Sequence, residues 1–372
     1  MVSKARQLAQ SASAPEGQKN VVINGAMQAA QRGASATGLG ATAGYYTVDR
    51  FNMDFGNTAG RLTMEQAADG PSGFANCIKL SCTTADTSIA ADEFAVLEHR
   101  IEGQDLQRFM KGTSDAKEYA LSFYVKGNAS ATRVIELYDN DNARQVSKQF
   151  SVTTSWSRVE LTFPADTTGA FDDDNNLSLR IYFWLHAGSD RNSGTLSTTW
   201  TSVTNANRAV GADSFFSSTD NTFFVTGLQL EVGSVATEFE HRSFGQELAL
   251  CQRYYHRQVR TDTTDASDPS RFNNTAGIYL GLAQITGATT GFLPVNMPTT
   301  MRTTPTISQT EASDISVFPG TNIALTAFSI VGHEMHNLIF VSLAFASGGT
   351  ANDAARVFIN TVGSFVDFDA EI

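Results

Sequence analysis

Apolar and polar residues alternate with a period of two through much of this chain, and that period predicts strands rather than helices. ANCIKLSC (75–82) alternates, and so does AVLEHRIEG (95–103), which sets Ala95, Leu97, His99 and Ile101 on one face. EYALSFYVKG (118–127), SRVELTF (157–163), NLSLRIYFWLH (176–186) and TFFVTGLQLEVG (222–233) are further strand candidates. TRVIELY (132–138) and QVSKQFSV (145–152) flank DNDNAR, which has the composition of a hairpin turn. VVIN (21–24) and YYTVDRF (45–51) lie either side of a Gly/Ala/Thr stretch with turn character. Strands at this spacing, with no long helix between them, predict a β-sandwich over 20–243.

Helical spacing occurs twice. Val2, Ala5, Leu8 and Ala9 suggest a short N-terminal helix within residues 1–19. A lone short helix needs a partner surface. The functional reading is a docking segment ordered by a neighbouring subunit, with Val2, Ala5 and Leu8 as the assembly contact, and the bland reading is a frayed terminus. In FGQELALCQRYYHRQ, Leu248, Cys251, Tyr254 and Tyr255 also fit one helical face. Ser243 is a candidate N-cap with Gln246 three residues on, so a connector helix is expected over 244–260. Residues 261–372 then form a second, smaller β domain, after a polar loop. Its candidate strands are GIYLGLAQ, ISVF, ALTAFSIVG, NLIFVSLAFA, RVFINTVG and the terminal FVDFDAEI. PVNMPTTMRTTPT (294–306), with three prolines, predicts extended irregular chain. The fold class is therefore all-β.

Charge narrows the partners. The 372 residues carry 26 basic and 38 acidic side chains, a net charge of −12, with no cluster of Lys and Arg. Such a chain repels nucleic acid and anionic membranes. No apolar run in residues 1–20 suits a signal peptide and none elsewhere suits a membrane span, so synthesis in a cytoplasm is expected, with release by a route such as lysis. Cys77, Cys82 and Cys251 are odd in number and lack metal spacing, which favours buried free thiols.

The chemistry-bearing candidates are few. Gly332-His333-Glu334-Met335-His336 superficially resembles a zinc-protease motif, but its histidines are three apart in a strand-like region, where they cannot share a metal. FDDDNN (171–176), with Asp172, Asp173 and Asp174, and YDNDNA (138–143) cluster oxygen ligands. Turn formation explains both loops, and calcium, the one cofactor the sequence suggests, is the alternative. No nucleophile elbow, phosphate loop or dinucleotide fingerprint is present. Trp184 lies in an apolar run and reads as core. Trp200, in a polar Thr/Ser stretch, is the candidate for stacking on a sugar, set against a packed loop anchor.

Several segments together resemble tail-fibre and virion structural proteins of tailed phages. They are NVVINGAMQAAQRG (20–33), YYTVDRF (45–51), EYALSFYVKG with TTSWSRVELTF (153–163), and the long run TFFVTGLQLEVGSVATEFEHRSFGQELALCQRYYHR (222–257). SKARQLA at the start, and MRTTPT (301–306) with DFDAEI at the end, fit the same family. The resemblance implies that the sandwich is a jelly roll similar to carbohydrate-binding modules. It also implies assembly with other virion proteins, often as a homotrimer, and localisation in the virion. A non-enzymatic appendage subunit that attaches to host-surface glycan is the expectation. A head-decoration protein, a lectin-like module and a polysaccharide depolymerase are the alternatives.

Overall fold

The computed structural model describes residues 19–259, 278–318, 323–335, 337–361 and 363–372. The expected docking segment, with Val2, Ala5 and Leu8, lies outside them. The chain divides into two compact units, residues 1–248 with Ile372, and residues 249–371.

The first unit is a jelly-roll sandwich. Its strands are β1 (Ser35–Leu39), β2 (Gly44–Tyr45), β3 (Phe51–Gly56), β4 (Arg61–Ala67), β5 (Cys77–Thr84), β6 (Phe94–Glu102), β7 (Tyr119–Gly127), β8 (Ala131–Asp139), β9 (Arg144–Val152), β10 (Ser157–Phe163), β11 (Leu177–Ala187), β12 (Thr201–Ser202) and β13 (Thr222–Val232). They form a six-stranded sheet, β1-β4-β5-β13-β7-β10, and a seven-stranded sheet, β12-β9-β8-β11-β6-β3-β2. The two inner faces supply the core. Phe123 of one sheet meets Phe150 and Phe183 of the other edge-on, with ring centroids 5.0 Å apart in each case. The cysteines are free and buried, and burial pushes the Cys77 thiol up to about 11.

VVIN is not a strand, contrary to its composition. Asparagine side chains do there what a ladder would do. Asn20 Oδ1 accepts from the amides of Val22 and Leu230, both at 3.0 Å, and its Nδ2 donates to the Leu228 carbonyl at 3.1 Å. Asn24 (φ 60°) accepts from the amides of Gln28 and Ala29, and donates to the Ala29 and Asp49 carbonyls. The Asn24 amide in turn donates to Glu247 Oε1 at 2.5 Å. Arg242 donates to the carbonyls of Asn20 and Val22, and His99 Nε2 faces the Ile23 carbonyl at 3.0 Å. Thus NVVING and the GLQLEVG…TEFEHR run, far apart in sequence, form one hydrogen-bonded seam. The YYTVDRF candidate is likewise displaced, since only Tyr45 and Phe51 of it lie in strands. Strand β1 lacks alternation, whereas β4, absent from the candidate strands, does alternate and buries Leu62 and Met64.

The connector helix spans Phe244–Gln252, shorter than 244–260. Ser243 and Gln246 form the expected reciprocal cap, with the Ser243 amide donating to Gln246 Oε1 at 3.1 Å and the Gln246 amide to Ser243 Oγ at 3.3 Å. The helix stops because Tyr255–Val259 is a strand, β14, paired with the last strand of the chain. Arg257 grips Asp367 of that strand through two bonds of 2.7 Å.

The second unit continues with β15 (Ile278–Gly287), β16 (Thr290–Asn296), β17 (Thr306–Gln309), β18 (Ile315–Phe318), β19 (Ile323–Met335), β20 (Leu338–Phe345), β21 (Ala354–Ile359) and β22 (Phe365–Asp369). Six of these close a barrel, β15-β16-β20-β19-β18-β21, while β14, β22 and β17 form a small sheet. The proline-rich segment begins inside β16 instead of being wholly irregular. Pro294 is tolerated because β16 pairs with β15 only as far as Phe292, so past it one side of the strand needs no N–H. His333 and Glu334 lie on β19, and His336 lies outside the described residues.

Gly25 is fixed by close approach, because a Cβ there would stand 2.2 Å from the Leu228 carbonyl oxygen. Gly25→Ala and Asn24→Ala are each expected to lower stability by about 3 kcal/mol or more, one by a backbone clash and the other by orphaned buried polar groups. Urea unfolding checks this, and a Gly25→Ala chain as stable as the parent would contradict the seam.

Candidate functional site

The seven-stranded sheet is unusual on its outer face. Alternation along β6, β11 and β8 sends Leu97, Ile181 and Ile135 inward, and it sends charged and aromatic residues outward. Cross-strand pairing sets them in rows. One row runs Asn52, Glu98, Tyr182, Glu136, Ser147, and the next runs Arg100, Arg180, Tyr138, Gln145.

Glu98 and Glu136 have no exposed surface. Burying a carboxylate costs several kcal/mol unless it is paired, and arginines answer both. Arg100 donates to Glu98 Oε1, with Nε at 2.7 Å, and Arg180 Nη1 lies 3.5 Å from Glu98 Oε2. Arg208 Nε lies 2.9 and 3.2 Å from the two Glu136 oxygens, and Trp184 Nε1 donates to Glu136 at 2.8 Å. The Arg208 guanidinium also lies over Tyr138, Tyr182 and Trp184, between 4.8 and 5.2 Å from their centroids. Burial and then the Glu98 charge push the Tyr182 phenol up to about 12, so it stays neutral. For Arg208, burial acts downward, and Glu136 outweighs it to hold the guanidinium above its ordinary value.

Residues 188–214 cross over the Trp184 end of this face, where Ala209 and Leu196 pack on Val96, Val134 and Trp184. The Arg180 end is more open. Arg180 and Tyr138 are half-buried and Asn140 is exposed. Arg180 reaches Tyr182 Oη at 3.0 Å and Asn140 Oδ1 at 3.3 Å. At the neighbouring edge, Arg100 Nη1 and Tyr45 Oη both donate to a main-chain oxygen of Ile372. Planar donors beside aromatic rings suit a ligand with paired hydroxyls and an apolar face.

Trp200 is elsewhere. It is 9% exposed and belongs to the sandwich core. Its Nε1 donates to the Pro164 carbonyl at 2.9 Å and its ring lies against Tyr119. The packed-anchor reading describes that environment.

The two acidic loops come together. The Asp172 amide donates to Asp141 Oδ2 at 3.1 Å, and Asn142 Nδ2 to the Ala170 carbonyl at 2.8 Å. Asp172 and Asp173 are exposed, while Asp174 caps its own turn by accepting from the Asn176 amide at 2.9 Å. The charge buried at the foot of these loops is an ammonium. Lys111 Nζ sits among Asp139 Oδ2 (2.6 Å), Asp166 Oδ2 (3.2 Å) and the carbonyls of Thr168 (2.9 Å) and Gly169 (2.6 Å). The rings of Phe171 and Trp200 stand over it at 5.2 and 5.4 Å. Burial alone would raise the Asp166 pKa, but Arg144 and Lys111 hold it below the ordinary carboxylate value.

A second cluster gave no sequence signal, because His186 lies 93 residues beyond Glu93. Ligand atoms of Asp86, Glu93 and His186, all buried, lie within 4.8 Å of one another, a spacing compatible with a metal. Protein groups already engage them. Asp86 accepts from Thr58 Oγ1 and the Ala59 amide, and His186 lies between Ser214 Oγ at 2.8 Å and Glu93 Oε2 at 3.2 Å. This Ser–His–Glu chain has the groups of acid–base catalysis, yet His186 has no exposed surface and Ser214 Oγ accepts from the Phe216 amide.

The sequence matches no protein-family model, and it matches none of the curated proteins. Solved structures do show similarity. One is described as "CBM4 structure and function", at 10% identity over 57% of this chain and 99% of that chain, with a TM-score of 0.30. Another is the enzymatically active domain of bacteriophage CBA120 tailspike protein 4, at 11% identity, 57% of this chain and a TM-score of 0.29; this chain spans only 21% of it. A third is a family 11 carbohydrate-binding module from Clostridium thermocellum in complex with a β-1,3-1,4-mixed-linked tetrasaccharide, at 12% identity, 55% and 98% coverage and a TM-score of 0.27.

Lys111→Met should leave Asp139 and Asp166 buried without their ammonium, and should cost about 3–5 kcal/mol of stability in urea unfolding. An unchanged midpoint would mean that the cage does not depend on that charge.

Proposed function

We propose that this chain is a non-enzymatic structural protein of a tailed-phage virion, a tail-fibre or appendage subunit assembling as a homotrimer. We further propose that it meets host-surface glycan through the open end of the arginine–tyrosine face. The observation that carries the glycan reading is the row Arg100, Arg180, Tyr138 beside Tyr182, with buried glutamates fixing the guanidiniums. Fixed planar donors next to rings lose little entropy on binding, which favours a ligand rich in hydroxyl pairs. The virion reading rests on the sequence likeness of the NVVING and GLQLEVG segments to phage structural proteins. A non-catalytic role is supported by the burial of His186 and Glu93.

Two experiments test these readings. On a glycan array, the full chain should bind a subset of surface polysaccharides. Arg180→Ala and Tyr138→Ala should each weaken that binding about 10-fold or more, about 1.4 kcal/mol. Absence of any glycan ligand, or equal binding by the variants, would sink the glycan reading, and release of reducing ends would favour a depolymerase. Peptide mass spectrometry of purified particles should find the chain in fixed proportion to other virion proteins. Its recovery only as free protein in the lysate would remove the virion reading.

A further inference from the structure

We infer that Asp86, Glu93 and His186 hold one divalent transition-metal ion of the zinc class, and that this ion fastens the segment crossing the seven-stranded sheet. The inference rests on neither the virion nor the glycan reading.

The first observation is geometry. Asp86 and Glu93 lie between β5 and β6, and His186 lies near the end of β11. His186 Nε2 and Glu93 Oε2 are 3.2 Å apart. Ligand atoms about 2.0–2.1 Å from a tetrahedral zinc stand about 3.3–3.4 Å from one another, so an ion fits between these two with little movement. Asp86 is held ready, since its Oδ2 accepts from Thr58 Oγ1 at 2.9 Å and the Ala59 amide at 2.8 Å. His186 Nδ1 is 2.8 Å from Ser214 Oγ. Donating that N–H to Ser214 turns the Nε2 lone pair toward the carboxylates, as a bound ion requires. A ring nitrogen among carboxylate oxygens selects a transition ion, whereas calcium takes more ligands and takes them as oxygens.

The second observation is charge. Asp86, Glu93 and His186 are 5%, 6% and 0% exposed, so water does little to relieve their charge. Elsewhere in the sandwich, buried Glu98, Glu136, Asp139 and Asp166 each meet a Lys or Arg. Among the described residues, the ion-pair partner of this cluster is His186 alone. The Asp86 and Glu93 carboxyl groups also come within hydrogen-bonding reach of each other. Two carboxylates so placed repel, and one imidazolium neutralises only one of them. A divalent ion neutralises both while a neutral imidazole supplies its lone pair, and any proton the cluster holds passes to solvent. The consequence is mechanical. The Gly188 amide donates to the Glu93 carbonyl at 2.7 Å and the Asp86 amide to the Phe216 carbonyl at 2.8 Å, so the cluster stands where both ends of the crossing segment are anchored.

The test strips the full chain with EDTA, incubates it with zinc chloride, desalts it and measures bound metal. The parent should retain about one zinc per chain and melt at a higher temperature than the stripped chain. Asp86→Asn and Glu93→Gln keep the shape of the cluster and remove one charge each. Both should fold as the parent does by circular dichroism, lose zinc affinity about 100-fold or more, and melt at a temperature that zinc no longer changes. His241→Ala, at an exposed histidine outside the cluster, should keep the parent's zinc response. As a second measurement, cobalt(II) should give the parent visible absorption that His186→Gln loses. A parent that retains no zinc and melts identically with and without it would overturn the inference, and would leave a shared proton as the neutralising charge. Equal zinc affinity in the parent and both isosteric variants would also overturn it, because the ion would then sit elsewhere.

Discussion

Buried backbone amides and carbonyls must find partners, and residues 20–25 satisfy theirs without belonging to a sheet. Asn20, Asn24, Arg242 and Glu247 supply the bonds that a ladder would. Because these side chains reach across more than two hundred residues, the opening and closing segments of the sandwich hold each other in place. Neither is satisfied until both are present. A fold closed by such distant contacts has high contact order, so it should form slowly and as one unit. These two segments are thus structural in their chemistry, and they maintain the scaffold.

Desolvated charge organises the rest of the sandwich. The seven-stranded sheet is covered inside by apolar packing and partly covered outside by residues 188–214. Carboxylates on it are therefore stable only with cations at hand. Glu98 and Glu136 take arginines, and Asp139 and Asp166 take Lys111. Each pairing also holds a side chain in one orientation. Fixed guanidiniums beside tyrosine rings are a consequence of neutralising buried acids.

Alternation made much of the fold legible, because most sandwich strands have one apolar face and turn-forming residues at their ends. It failed where side chains replaced the ladder, as in VVIN, and where cross-strand pairing overrode helical spacing, as at Tyr255. The outer face was hidden for a different reason. In NLSLRIYFWLH both faces are buried, so Tyr182 and Trp184 on one side and Phe183 and Leu185 on the other merge into a single apolar run. The acidic loops were recognised and do meet, but Lys111, from a distant turn, carried no local signal. The Asp86–Glu93–His186 cluster was likewise invisible, since His186 lies 93 residues beyond Glu93.

Closure of the barrel constrains how it can meet a neighbour. Strands arranged in a ring leave only short stretches of edge, as on β16 beyond Phe292, along which another chain's backbone can add, so intermolecular sheet extension, the usual route from a β-rich subunit to fibrous aggregate, is restricted there. A neighbour is then held mainly by side-chain packing. Contacts of that kind do not depend on strand register and can separate without melting the fold, so subunits that dock wrongly can let go and try again.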